Sequence, residues 1–118
     1  MLSNFNNSLE LLEVIQKEQL YNQLLTQLKK DFKLANVPIK LPMDVTPSEL
    51  KSLLHEKIYF LIVERFQDYL NLLYVVDISE QEVKKIAPSD VVDISAEVSF
   101  LLLKREWQKV WYKSKYST

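Results

Sequence analysis

Apolar residues recur along most of this chain at intervals of three and four, the spacing that lines one face of an α-helix. From about residue 7 to residue 34, Leu11, Val14, Tyr21, Leu25, Leu28, Phe32 and Ala35 keep this rhythm, with one polar interruption at Glu18. Asn7 followed by Glu10 has the form of a capping box and places the start of a first helix. In its first half Leu9, Leu11, Leu12, Val14 and Ile15 spread around most of the circumference, so that end is expected to be covered on more than one side.

Residues 36–45 break the pattern. Pro38 and Pro42 favour an extended path, and Val37, Ile39, Leu41, Met43 and Val45 alternate, so one side of this linker can pack on the helices. Ten extended residues reach at most about 33–36 Å, enough to run back along much of the first helix. A second helix is expected over about 46–75. It opens on Thr46-Pro47-Ser48-Glu49, a capping box with proline at the first helical position. Leu54, Ile58, Ile62, Phe66, Tyr69 and Leu73 form its apolar face; Lys57, Glu64, Asp68 and Asn71 lie opposite, with Phe60 projecting on the wet side. Ser79 caps a short helix over about 80–86, and Pro88 ends it.

A last helix is expected over about 90–115, and it carries two apolar stripes. Val92, Ala96, Phe100, Leu103, Trp107 and Val110 form one. Val91, Ile94, Val98, Leu101 and Leu102 form the other, which continues into Arg105, Lys109 and Tyr112. A helix with two apolar faces is either central in its fold or part of an interface. The reading is therefore an all-α, single-domain chain, residues 1–118, built as a helical bundle of three long helices plus one short helix.

Composition sharpens what this bundle can do. None of the 118 residues is glycine or cysteine. Without glycine, phosphate-cradling Walker and dinucleotide loops and the GXXG clamp are excluded in their usual form. Without cysteine there is no disulfide, thiol nucleophile or thiolate zinc site. The first residues show no basic-then-apolar leader pattern, and the longest apolar run, Ile58 to Val63, is too short to cross a bilayer. These features suggest a cytoplasmic protein without a transmembrane segment.

Candidate chemistry is sparse. His55, the one histidine, has no second histidine or cysteine near it in a metal-binding spacing, and is expected at the edge of the core. Glu64 and Asp68, four apart, are expected to be solvated on the wet face. No catalytic residue, cofactor site or metal site is assigned, and a non-enzymatic role is expected. The charge is uneven: residues 104–118 carry a net +4 and the rest a net −5. Lys104, Arg105, Lys109, Trp111, Lys113 and Lys115 therefore form a candidate contact for nucleic acid or an anionic surface. Against it, cations are favoured at any helix C-terminus, and Asp90, Asp93 and Glu97 make the start of the last helix unsuitable as a DNA-reading end.

The favoured reading is a helical protein–protein interaction or scaffold module, with self-association through the last helix as the simplest form. Its expected interface is Phe60, Val91, Ile94, Val98, Leu101 and Leu102, rimmed by Arg105, Lys109 and Tyr112.

Overall fold

Two of the three long helices expected from the spacing are each divided. The computed structural model describes residues 6–116, and all its helices fall in the order α1 (Ser8–Lys17), α2 (Tyr21–Leu34), α3 (Pro47–Glu64), α4 (Phe66–Val76), α5 (Glu80–Lys84) and α6 (Val91–Tyr116). The described residues form no strand, so the all-α expectation holds. The arrangement of three long helices and one short one is replaced by six.

The first division follows from Glu18, the polar interruption in the apolar rhythm. Glu18 is the C-cap of α1, and the next residue, Gln19, turns left-handed with φ 61°. The Leu20 N–H then reaches back five residues to the Ile15 carbonyl at 3.2 Å, closing a Schellman cap. The same device ends α2, where Asn36 has φ 62° and the Val37 N–H meets the Phe32 carbonyl at 3.0 Å. It recurs after α4, where Asp77 has φ 72° and the Ile78 N–H meets the Leu73 carbonyl at 2.9 Å. In each case the following apolar residue, Leu20, Val37 or Ile78, packs on the core and fixes the direction of the exit. A glycine would take this conformation without steric penalty; here glutamine, asparagine and aspartate take it instead.

The second division is at Arg65, whose φ −139° and ψ 57° leave the helical region between α3 and α4. No proline or glycine marks it. The break re-phases the apolar face. Leu50, Leu54, Ile58 and Leu61 are buried on α3, and Tyr69, Leu72, Leu73 and Val76 on α4. Phe66, placed on the core stripe by a continuous helix, is 55% exposed, and Ile62 is only partly buried.

The linker behaves largely as its alternation implies. Val37, Leu41 and Val45 are buried, Ile39 is half-buried and Met43 points outward. It runs back along α2, because the Tyr21 hydroxyl, at the start of α2, donates to the Val45 carbonyl at 2.7 Å. The Thr46 capping box then starts α3, with both reciprocal hydrogen bonds present. The Ala35 carbonyl, at the C-cap of α2, accepts from Asn71 Nδ2 of α4 at 3.2 Å.

Helix α6 is the axis of the fold. Its 26 residues span about 39 Å at 1.5 Å each, and the longest dimension of the molecule is 39 Å. It packs against α1, α2, α3 and α4. Of the two stripes read from its apolar residues, neither is the buried one. The buried face is Ser95, Val98, Ser99, Leu102, Leu103, Glu106, Trp107 and Val110. Three of its positions are polar, which is why apolar spacing alone divides it between two stripes. Val92 and Ala96, the first two residues of one stripe, are exposed. No described helix is long and apolar enough to cross a membrane.

The left-handed caps generate a stability prediction. Gln19 is exposed and its side chain makes no hydrogen bond among the described residues, so Gln19→Gly is expected to stabilise the fold by about 0.5–1 kcal/mol. A urea midpoint that rises with unchanged slope would show it. Asp77→Gly is expected to lack this gain, because it removes a carboxylate bonded to Arg105.

Candidate functional site

Three features could carry function: a buried charge cluster, an exposed apolar ridge and a polar groove. The charge cluster lies where α2 meets the second half of α6. Glu106 faces inward on α6 and is 0% exposed, and Asp31 of α2 is 4% exposed. Lys109, one turn beyond Glu106, reaches both: its Nζ is 2.8 Å from Asp31 Oδ2 and 3.3 Å from Glu106 Oε1. Gln27 Nε2 donates to the same Asp31 oxygen at 3.2 Å.

One cation therefore serves two buried carboxyl groups, and one carboxyl must be neutral to avoid an uncompensated buried charge. Glu106 is that group. Burial, with the adjacent Asp31 acting second, raises its pKa to about 9 despite Lys109. Its Oε2 is enclosed with no donor beside it. As a protonated acid it donates toward Asp31 instead. Burial alone would also push Asp31 upward, but hydrogen bonds from Glu106, Lys109 and Gln27 and the Lys109 charge outweigh it and hold Asp31 below its ordinary value. The cluster is thus a neutral acid beside a tight ion pair. Apolar spacing gave no sign of it; the signal available was a run of heptad-spaced positions on α6 that includes a glutamate.

His55 sits half-buried on α3, at the edge of the core as expected. Its Nε2 lies 2.9 Å from the Val92 carbonyl and 2.8 Å from Ser95 Oγ, while Ser95 Oγ donates to the same carbonyl at 2.8 Å. A carbonyl only accepts, so Nε2 carries the ring proton and donates. His55 then does not withdraw a proton from Ser95, and the pair ties α3 to the first turn of α6. Asp90 caps that turn, its Oδ1 accepting from the Asp93 N–H at 2.9 Å.

The basic C-terminal stretch does not converge on one surface. Lys104 lies over the Phe100 ring at 4.9 Å and Lys115 over the Trp111 ring at 5.5 Å. Arg105 donates from Nε to the Asp77 carbonyl at 3.1 Å and from Nη2 to Asp77 Oδ2 at 2.9 Å, securing the end of α4. Lys109 belongs to the buried cluster. Trp111 is half-buried, and Lys113 is exposed.

The residues expected to form an interface on the last helix are likewise divided. Val98 and Leu102 are fully buried within the chain because α6 is central, so they have no area to offer a partner. Val91, Ile94 and Leu101 are half-buried; Phe60 and Tyr112 are exposed. Arg105 and Lys109 are engaged in the ion pairs above rather than forming a rim.

The largest exposed apolar feature is elsewhere. Tyr59, Phe60 and Val63 on α3 and Phe66, Leu70 and Tyr74 on α4 are six of the eleven large hydrophobic residues left exposed among the described residues. Phe66, Leu70 and Tyr74 recur every four residues on one face of α4, and Phe66 stands three residues after Val63 across the Arg65 break. Reading 46–75 as one helix hid this ridge by assigning Phe66 to the core. Glu64, expected on the wet face, is exposed, and Asp68 pairs with Arg65.

A groove of about 720 Å³ runs between α2 and the last turns of α6. Leu20 contributes apolar surface over the buried Val110, and Gln23, Gln27, Lys30 and Lys113 contribute polar groups. No cluster of three or more metal-binding side chains occurs among the described residues. Comparison with family models, with characterised proteins and with solved structures finds no match to this chain.

The buried cluster makes stability depend on pH. Below the ordinary carboxylate pKa of 4.5, Glu106 is protonated in both folded and unfolded chains. Above it, only the folded chain keeps the proton, so the contribution of Glu106 is lost progressively as pH rises toward about 9. Asp31, with its lowered pKa, acts oppositely: its contribution is present above its ordinary pKa and lost as pH falls through the folded value. Glu106→Gln keeps shape and donor but removes the titration. It is expected to stabilise the protein by about 1–3 kcal/mol at pH 8 and to flatten the decline between pH 5 and pH 9. Thermal melts across that range would check it; a variant with the same slope as the parent would overturn the assignment of the proton to Glu106.

Proposed function

We propose that this chain is a helical protein-interaction module that associates with a second copy of itself through the α3–α4 ridge. The observation that carries the reading is the concentration of Tyr59, Phe60, Val63, Phe66, Leu70 and Tyr74 on consecutive turns, all exposed. Exposed apolar side chains gathered on consecutive turns are removed from water most simply by a partner. Aromatic residues dominate it, as they do the centres of protein interfaces.

The occupant is argued from charge. Within one turn of the ridge lie Glu56, Lys57, Glu64, Arg65 and Asp68, both signs interleaved. A two-fold contact sets each surface against itself, so a rim of one sign would repel its copy. A mixed rim allows the acidic residues of one copy to face Lys57 or Arg65 of the other. The proposed surface thus moves from the last helix to α3 and α4, with Phe60 the residue common to both. A binding role is proposed in place of catalysis, since Ser95, the serine beside His55, is fully buried and its hydroxyl donates to the Val92 carbonyl.

Phe66→Glu combined with Tyr74→Glu places two charges on the ridge at positions that contribute little to the core. The parent chain is expected to show a mass that rises from monomer toward dimer with concentration in sedimentation equilibrium. The double variant is expected to remain monomeric with unchanged helical circular dichroism. A parent that stays monomeric at its highest soluble concentration would overturn the self-association.

A further inference from the structure

We propose that the groove between α2 and the C-terminal turns of α6 binds a small organic anion carrying phosphate or carboxylate groups. Its volume, about 720 Å³, lies within the range of small-molecule sites, roughly 300–1,000 Å³. Its lining supplies both parts such a ligand needs. Leu20, half-buried, offers apolar surface against a carbon skeleton, and Gln23, Gln27, Lys30 and Lys113 offer donors.

The charge at the groove is the decisive feature. No carboxylate is among its lining residues, although acidic residues outnumber basic ones in the chain, 16 to 15. Lys30 on α2 and Lys113 on α6 both line it, from different helices, and neither enters an ion pair or hydrogen bond among the described residues. Four neighbouring cations of α6 differ in this respect. Arg105 and Lys109 are held by acids, and Lys104 and Lys115 lie on aromatic rings. The two unpaired lysines are thus gathered in a concavity without acids, which favours an anion there.

One donor in the groove is also held in place. Gln27 gives one N–H of its amide to Asp31, and Asp31 is fixed in turn by Lys109. The second N–H on the same nitrogen remains for a ligand, on a side chain whose orientation is already set. Pre-set donors reduce the ordering that binding requires. The lysines then supply charge-assisted contacts.

The test uses the full chain labelled with ¹⁵N, titrated separately with citrate and with inorganic phosphate at ionic strength held constant with sodium chloride. Saturable shifts centred on the side-chain amides of Gln23 and Gln27 are expected. Affinity is expected to fall roughly tenfold or more in Lys30→Gln/Lys113→Gln. Both lysines are exposed, so the double variant keeps its fold, checked by its unshifted core amides. Saturation by citrate alone assigns a carboxylate ligand, and by phosphate alone a phosphorylated one. The proposal is overturned if neither anion saturates, if shifts follow lysines over the whole surface, or if the double variant binds as the parent does. Binding to duplex DNA with a steep salt dependence, without saturation by either small anion, would also overturn it. It would assign the basic residues to a polyanion. None of these outcomes depends on whether the chain dimerises.

Discussion

A helix that runs the full length of a small domain and touches four others must present a buried stripe along most of its length. Helix α6 meets that demand with leucine, valine and tryptophan at most positions, but with a carboxyl group at Glu106. The central position of α6 is compatible with that residue only because the charge is removed. Asp31 and Lys109 form the ion pair, and Glu106 keeps its proton beside them. Removing Lys109 would leave the Asp31 charge, only 4% exposed, without its partner. The junction of α2 with α6, and with it the groove at their far end, rests on this arrangement.

The absence of glycine imposes a second constraint on the same fold. Three chain reversals need a left-handed residue, and the sequence fills them with Gln19, Asn36 and Asp77. Asparagine and aspartate tolerate that region better than most residues. Asp77 adds a contact that glycine could not make, since its carboxylate binds Arg105 beside the backbone carbonyl. The cap that ends α4 is therefore also a tie to the central helix. At Gln19 the backbone hydrogen bonds and the packing of Leu20 hold the turn without such help.

Much of the fold was legible in the spacing. The helical class, the capping box at Thr46, the linker alternation, the short helix after Ser79 and the start of the last helix near Asp90 all follow from local rules that act within a few residues. The divisions at residues 18–20 and at Arg65 were less legible because the usual markers are missing. Glu18 did interrupt the apolar rhythm, and it became a C-cap. Arg65 had no marker, and the apolar run before it continues smoothly into Phe66. The site was less legible still. Whether Val98 and Leu102 face a partner or the core depends on where α6 sits among the other helices, which periodicity does not encode. Glu106 and Asp31 lie 75 positions apart, and their meeting is a property of helix packing alone. His55 was placed correctly at the core edge because Ile58 and Tyr59, about one turn further on, are apolar.

The bond between Arg105 and Asp77 also fixes how α4 is presented to the outside. The helix is pinned to α6 at its last turn by that pair and to the end of α2 midway by Asn71. Its far side, with Phe66, Leu70 and Tyr74, is thus a row of side chains on a beam fastened from behind. A partner meeting that row does not have to order the backbone under it. The entropy lost on contact is confined to the aromatic and aliphatic rotors themselves, and two of the three residues are aromatic rings with only two torsions each. Surfaces mounted this way favour docking without rearrangement, at a rate set by encounter rather than by folding.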